Sequence, residues 1–132
     1  MDGTGTKGDP WQLTTAPGSS SYTMYRDDEA GLLVCQVGAT KLTYLASAID
    51  DLHAMLREAG DWVPLGAADE KKPAPEGSVE AWGRAEDNPV GGWYGQRNGY
   101  RGRFGMYLPP LLEALGKAEL THDAKNNRMR AI

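Results

Sequence analysis

Residues 32–37 read LLVCQV and residues 41–45 read KLTYL, and these two stretches decide the fold. The first is a short continuous apolar run, which is typical of a strand in the centre of a sheet. The second alternates between polar and apolar residues, as a strand with one buried face does. Gly38 and Ala39 supply a short turn between them. The sequence therefore predicts an antiparallel pair of strands here.

Two further strands precede this pair. Residues 11–15 (WQLTT) alternate in polarity, and residues 21–26 (SYTMYR) are rich in residues that favour strands. Residues 17–20 (PGSS) and the acidic residues 27–29 (DDE) provide the turns. Four strands joined by short turns predict an antiparallel meander.

A helix is predicted directly after the meander, over residues 47–59. Ile49, Leu52 and Leu56 recur at helical spacing and form one apolar stripe. Ser47 stands at the N-cap position, and Gly60 is the expected stop. We expect this helix to cover one face of the sheet.

The predicted fold class is α+β: the meander packed by one main helix, then short helices and a C-terminal β-hairpin. We expect a flexible N-terminal arm at 1–10, meander plus helix at 11–65, a linker at 66–77 and a helical segment with the hairpin at 78–132. Ser78 is expected to cap a helix that runs to about Asp87, and Pro109 to begin another. The sequence leaves open whether 11–65 and 78–132 share one core.

Length and composition exclude several classes of protein. The 132 residues are enough for one domain, and the sequence contains no apolar run long enough for a membrane span. The single cysteine excludes an internal disulfide framework and a cysteine-based zinc cage. The first residues lack the pattern of a signal peptide, so we expect a cytoplasmic protein. Phosphate-loop and metal-binding motifs are missing from the sequence, and we expect no cofactor and no metal.

The formal net charge of −4 is divided unevenly. Residues 1–90 hold seven Lys or Arg and fifteen Asp or Glu, which gives −8. Residues 91–132 hold seven basic and three acidic residues, which gives +4. A basic third on an acidic body allows one face to meet an anion. The alternative is that the basic residues only complement the acidic ones across the fold.

The most informative stretch is residues 91–104 (GGWYGQRNGYRGRF), in which aromatic and arginine side chains interleave. Aromatic faces and guanidinium groups suit stacked bases and phosphate oxygens. The candidate ligand- or nucleic-acid-binding residues are Trp93, Tyr94, Arg97, Tyr100, Arg101 and Arg103, together with Lys125, Arg128 and Arg130 of the hairpin. The alternative interpretation is an irregular loop whose aromatic residues enter the core.

Four other residues are candidates for chemistry. Cys35 lies in the most apolar strand, where a thiol is a packing residue. Asp50 and His53 stand three residues apart on the predicted helix, where an Asp–His pair could orient an imidazole. His122 lies in the hairpin without metal-ligand spacing. We assign no catalytic residue.

The C-terminal segment 111–132 resembles the last helix and wing of winged-helix domains. A Leu-rich helix ends at Leu115-Gly116, a strand leads away, a polar turn with Lys125 follows, and a second strand returns through Arg128 and Arg130. The resemblance implies contact with nucleic acid through the basic residues. The whole chain also resembles small uncharacterised bacterial proteins, and that resemblance implies no mechanism.

Three functions remain open. The first is a non-enzymatic binding module whose basic, aromatic C-terminal third engages an anionic partner, with nucleic acid as one candidate. The second is a protein–protein interaction or homodimerisation module anchored by Trp and Tyr residues. The third is a small enzyme with a site near the Gly-rich segment.

Overall fold

The structure, a computed structural model, describes residues 3–132 and begins with a four-stranded antiparallel sheet. Each strand pairs with the next along the chain. The strands are β1 (Trp11–Thr14), β2 (Ser21–Asp27), β3 (Leu32–Val37) and β4 (Thr40–Leu45). This order confirms the predicted antiparallel meander, and β3 has the predicted bounds.

One face of the meander is buried against aromatic side chains. In β2 and β4 the inward residues alternate with more exposed ones, as the period of a strand requires, whereas β3 is buried at three successive residues. The inward residues of these three strands are Tyr22, Met24, Leu33, Cys35, Leu42 and Tyr44. Tyr22 packs edge-on against Tyr107, with ring centroids 4.9 Å apart, and its hydroxyl donates to the Tyr107 carbonyl at 2.8 Å. Such an aromatic pair contributes about 1 kcal/mol beyond its burial.

The helix α1 (Ala48–Ala59) follows the meander as predicted. Its buried residues include Ile49, Leu52 and Leu56, and Gly60 ends it in the left-handed conformation. Ser47 occupies the N-cap position, but within the described residues its side chain makes no capping hydrogen bond. α1 packs against the two C-terminal elements described next, the third helix and the last strand.

Two short helices differ from their predicted bounds. α2 (Val79–Trp82) begins at the predicted cap, where Ser78 Oγ accepts from the Ala81 N–H at 3.1 Å, but it ends after one turn. α3 (Phe104–Ala114) begins five residues before Pro109, so the predicted start is wrong. Pro109 and Pro110 lie inside α3 and donate no N–H to the carbonyls one turn earlier, yet the buried apolar residues around them hold the helix.

The last elements form a second antiparallel sheet in the order β5–β7–β6. Its strands are β5 (Val63–Pro64), β6 (Ala118–Leu120) and β7 (Arg128–Ala131). The β6–β7 pair confirms the predicted hairpin and, with the meander and helices, the α+β class. The winged-helix resemblance is not shown: α2 has four residues, and eight of the eleven residues of α3 are buried.

The buried apolar residues form a cluster that runs from Trp11 to Met129 and draws on both 11–65 and 78–132. Residues 66–77, the predicted linker, contain neither helix nor strand in the structure. Backbone hydrogen bonds tie part of the predicted arm 1–10 to its neighbours, because Gly5 accepts from the Arg26 N–H at 2.8 Å. Residues 1 and 2 lie outside the described residues.

Among residues 3–132, no helix has the length and apolar character that crossing a membrane requires.

Candidate functional site

The nine candidate residues fall into two groups that, within the described chain, share no aromatic ring and no pocket. One group lies on residues 93–103, and the other lies on the C-terminal hairpin. The predicted basic surface of the C-terminal third is therefore divided between two places.

Tyr94 belongs to the core, so it contacts no ligand at the surface. Its exposure is 0%, and its ring stacks on Trp82 with centroids 5.3 Å apart. Its hydroxyl donates to Asp51 Oδ2 at 2.8 Å. Burial, strengthened by the Asp51 hydrogen bond, raises the pKa of Tyr94 well above its ordinary value. The alternative interpretation, in which aromatic residues of 91–104 enter the core, therefore holds for Tyr94, and also for Phe104, which is 1% exposed.

Trp93 is half-buried and binds two guanidinium groups. The Cζ atom of Arg84 lies 4.4 Å from its ring centroid, and that of Arg101 lies 4.5 Å away. Each such cation–π contact is worth roughly 0.5–1 kcal/mol at a partly exposed site. Trp93 thus joins Arg84, two residues after the end of α2, to Arg101 in the segment that carries the other candidate residues.

Glu70 holds the segment around Arg101 in place. Its Oε1 accepts from the backbone N–H groups of Gly99 and Arg101, each at 3.2 Å, and from the Arg101 guanidinium. The guanidinium hydrogen bond, followed by the Arg101 and Gly99 backbone donors and the charge of Arg101, lowers the pKa of Glu70. The charge of Arg101 is therefore committed to Glu70.

Arg84 holds residues 68–72, the segment that carries Glu70, in place. It donates to the carbonyls of Lys72 at 2.9 Å, Ala68 at 3.0 Å and Asp69 at 3.3 Å. It also pairs with Glu80 Oε2 at 2.8 Å. A planar guanidinium with five N–H donors suits this task, which a lysine would not perform equally well.

Glu80 is completely buried and links the segment 68–72 to the start of α3. Its Oε1 accepts from the Gly105 N–H at 2.9 Å and from the Ala68 N–H at 3.3 Å. An acidic group near a helix N-terminus satisfies a free N–H and complements the helix dipole. Arg103, just before the helix, adopts a left-handed conformation with φ of 63°.

Residues 69–71 and the segment that begins at Gly99 border a pocket of about 310 Å³, which we call the Arg103 pocket. Apolar side chains on its walls come from β3, β4 and α3: Val37, Leu42 and Tyr107. Its polar wall comes from residues 69–71 and from Gly99, Tyr100, Gly102 and Arg103. Arg103 and Tyr100, two of the nine candidates, are brought together here.

Two cations, Lys71 and Arg103, and two carboxylates, Asp69 and Glu70, line the Arg103 pocket, and Arg101 neutralises Glu70. Among residues 3–132, Lys71, Arg97 and Arg103 make no ion pair with an acidic side chain. Arg97 lies beside the pocket, with its Cζ 4.4 Å from the Tyr100 ring centroid and Nη1 donating to the Lys41 carbonyl. Tyr100 is 46% exposed. This arrangement offers cations and an aromatic face to an anion.

The second group lies around Trp62 on the smaller sheet. The Cζ atoms of Arg128 and Arg130 lie 5.4 and 4.5 Å from the Trp62 ring centroid. Arg130 also pairs with Glu119 at 3.1 Å. Lys125 and Arg128 line a groove of about 600 Å³, which we call the proline groove because Pro17, Pro64 and Pro75 line it too.

The other residues considered for chemistry are not grouped into a catalytic site. Asp50 is exposed, and His53 Nε2 is buried without a hydrogen-bond partner in the described part of the chain. Burial raises the pKa of the Cys35 thiol, which makes it a poor nucleophile. Across residues 3–132, no three His, Cys, Asp or Glu side chains are grouped to hold a metal ion.

Sequence reasoning missed the residues that build the Arg103 pocket: Asp69, Glu70, Lys71, Glu80 and Arg84. The acidic and basic residues at 69–72 resemble a solvated charge run, and Glu70 meets its partners only 29 and 31 residues later. The tight packing of Gly102 against the Asp69–Glu70 backbone is equally invisible in the local pattern.

One comparison with known proteins gave a match. A family model described as "Family of unknown function (DUF6855)" matches residues 3–132, which is nearly the whole chain. Neither the search of curated proteins nor the search of solved structures gave a match.

Proposed function

Since the chain belongs to the DUF6855 family, whose description states no activity, we propose from its geometry that it is a non-enzymatic binding module. Its Arg103 pocket takes an anionic ligand that has a flat apolar part. The observation that carries the proposal is one pocket bordered by apolar side chains, an exposed Tyr100 and the cations Lys71 and Arg103.

The charge balance supports an anion rather than a cation. Glu70 and Arg101 neutralise each other, so Lys71, Arg97 and Arg103 outweigh Asp69 at this place. Most of the acidic residues lie elsewhere on the body, where they lower the attraction of a large polyanion but not that of a small one. The pocket volume is at the lower end for small-molecule sites.

The rigidity of the walls also supports binding. Arg84 fixes residues 68–72 through three carbonyls, and Glu70 fixes residues 99–101 through two backbone N–H groups. A site that is already ordered loses less conformational entropy when the ligand binds. These contacts make the Arg103 pocket better organised for a ligand than an unsupported surface loop.

The two alternatives have less support. The protein-interaction or homodimer hypothesis needs exposed Trp or Tyr anchors. Trp11 is buried, Trp62, Trp82 and Trp93 are partly buried, and the exposed Tyr100 lies at the Arg103 pocket. The enzyme hypothesis gives acid–base or anion-stabilising roles to Asp50 and His53, or to the arginines near the Gly-rich segment. Within the described residues Asp50 and His53 form no hydrogen bond with each other, and Arg101 is already bound to Glu70.

The proposal places the protein in the bacterial cytoplasm. Support comes from the free, buried Cys35, which suits a reducing compartment, and from the resemblance to small bacterial proteins.

Isothermal titration calorimetry with 1-naphthyl phosphate as the ligand tests the proposed function. We expect binding that weakens between about 50 and 200 mM salt, because an ion pair with the phosphate is screened. The neutral analogue 1-naphthol should bind much more weakly. An affinity that does not change with salt concentration, or no binding at all, would contradict the proposal.

Matched variants locate the site. Replacing both Lys71 and Arg103 by alanine removes two positive charges from the Arg103 pocket, and we expect the affinity to fall at least tenfold. Replacing Lys125 and Arg128 by alanine removes the same charge from the proline groove and should leave the affinity within about twofold. An equal loss in both variants would point to a general charge effect instead.

A further inference from the structure

We infer that the ligand of the Arg103 pocket is a nucleotide whose base carries an amino group, either free or as part of a single strand. The inference rests on the proposed function and narrows it to one class of ligand. It is carried by the placement of Asp69 on the same wall as Lys71, with Arg103 lining the same pocket.

Asp69 keeps hydrogen-bonding capacity for a ligand. Its Oδ1 accepts from the Lys71 backbone N–H at 3.1 Å, and in the described part of the chain no cation lies within ion-pair distance of it. A carboxylate has about four lone-pair sites, so most of its acceptor capacity is free. The nearby Arg101 is already bound to Glu70.

The free acceptor capacity of the Asp69 carboxylate distinguishes among anionic ligands. A fatty acid or an aromatic carboxylate has no donor for Asp69 and would bring two like charges together. A nucleotide carries its negative charge on the phosphate and its donors on the exocyclic amino group of the base. The phosphate can meet Lys71 and Arg103 while the amino group donates to Asp69, so one ligand satisfies both kinds of group.

Tyr100 supplies the surface on which a base can stack. Its ring lies over the Arg97 guanidinium, and 46% of the residue is exposed. Base stacking on an aromatic side chain is worth about 1–3 kcal/mol in single-strand binding proteins, and it requires a base that is not already stacked.

The size of the pocket favours one base over a duplex. About 310 Å³ is near the lower limit for a small-molecule site, so it suits a single nucleotide. A duplex would need an element that enters a groove, and eight of the eleven residues of α3 are buried. The ligand is then either a free nucleotide or an unpaired nucleotide in a single strand.

The test compares cytidine monophosphate (CMP) with uridine monophosphate (UMP). Cytosine carries an amino donor at C4, whereas uracil carries a carbonyl acceptor there and a hydrogen on N3. For the natural sequence we expect CMP to bind about tenfold more tightly, the effect of one charge-assisted hydrogen bond. In Asp69→Ala the two affinities should become equal, because the acceptor is gone. The matched control Glu76→Ala removes an exposed acidic residue of the same segment and should keep the tenfold preference.

Further titrations show whether the nucleotide is free or part of a strand, and they separate this inference from the proposed function. Tighter binding of a ten-residue oligo-dC than of CMP would support a strand, and equal or weaker binding would support a free nucleotide. Tighter binding of a duplex of the same length would overturn the inference. Equal affinities of CMP and UMP for the natural sequence would also overturn it. Binding of 1-naphthyl phosphate without either nucleotide would overturn this inference alone, whereas binding of none of the three would overturn the proposed function as well.

Discussion

The carboxylate of Glu70 binds both the guanidinium and the backbone N–H of Arg101, a residue 31 positions later in the chain. The same oxygen accepts from the Gly99 N–H. One acidic side chain therefore fixes the segment that carries Tyr100, and it neutralises Arg101. Within residues 3–132, Lys71 and Arg103, which line the Arg103 pocket, make no ion pair. This relationship leads to the first prediction.

Replacing Glu70 by alanine should weaken the binding of 1-naphthyl phosphate about tenfold, because residues 99–101 lose their anchor and must be ordered by the ligand. The variant gains positive charge, so a purely electrostatic site would bind the anion more tightly instead. Calorimetry at fixed salt decides between the two. Glu76→Ala adds the same charge at an exposed position and should leave the affinity nearly unchanged.

Replacing Glu80 by alanine should reduce the free energy of unfolding by about 3 kcal/mol or more. The substitution leaves the Gly105 N–H without its acceptor and Arg84 without its buried partner. Urea unfolding measures the change. Glu86→Ala, at an exposed site, should stay within about 0.5 kcal/mol, and a similar loss in both variants would contradict the structural role of Glu80.

The meander and α1 could be predicted because their signals are local. The apolar run at 32–37 and the alternation at 41–45 specify neighbouring strands, and the short turn between them fixes how they pair. In α1 the stripe of Ile49, Leu52 and Leu56 and the stop at Gly60 lie within one element. Interactions close in sequence are visible in a sequence pattern.

The start of α3 could not be predicted, because its cause is distant. The pattern around Pro109 favours a helix that begins there, since proline is well tolerated in a first helical turn. In the structure Glu80 accepts the N–H of Gly105, 25 residues away, and the left-handed Arg103 turns the chain into the helix. Tertiary contacts thus outweigh the local proline signal.

The candidate site was predictable in part for the same reason. The interleaving of aromatic and arginine residues identified Tyr100 and Arg103, which line the Arg103 pocket. That pattern did not reveal that Tyr94 enters the core and donates to Asp51. It also gave no sign of Glu70 or Arg84, because their partners come from other segments.

Replacing Gly102 by alanine should destabilise the fold by about 2 kcal/mol through crowding. A Cβ atom there would lie 2.4 Å from the Glu70 nitrogen and 2.5 Å from the Asp69 carbonyl carbon, and backbone atoms cannot move away cheaply. Thermal or urea unfolding measures the loss. Gly8→Ala is the matched control, because a Cβ atom at Gly8 meets nothing within 4 Å; it should change stability by less than about 0.5 kcal/mol.

His122 should make stability depend on pH. Its Nε2 lies 2.6 Å from Glu113 Oε2 and its Nδ1 lies 2.9 Å from the Ala16 carbonyl oxygen, so both nitrogens donate only when the ring is protonated. The Glu113 carboxylate, followed by the Ala16 carbonyl, raises the pKa of His122 above its ordinary value of 6.5. The stabilisation is therefore complete below about pH 6.5 and is lost as the pH rises through the raised pKa.

The His122 side chain is 52% exposed, so solvent screening limits the effect to less than about 1 kcal/mol. Urea unfolding of the natural sequence and of His122→Gln at pH 5.5 and 8.5 measures it. The difference between the two proteins should be larger at the lower pH, and Glu113→Gln should reduce that dependence. A difference that grows with pH would contradict the assignment.

The most direct test of the central claim is amide chemical-shift mapping during a titration with 1-naphthyl phosphate. Binding in the Arg103 pocket predicts saturable shifts at Lys71, at residues 99–103 and at Tyr107, with residues 125–130 nearly unaffected. Shifts confined to residues 125–130, or no shifts at all, would contradict the claim that the Arg103 pocket is the anion-binding site.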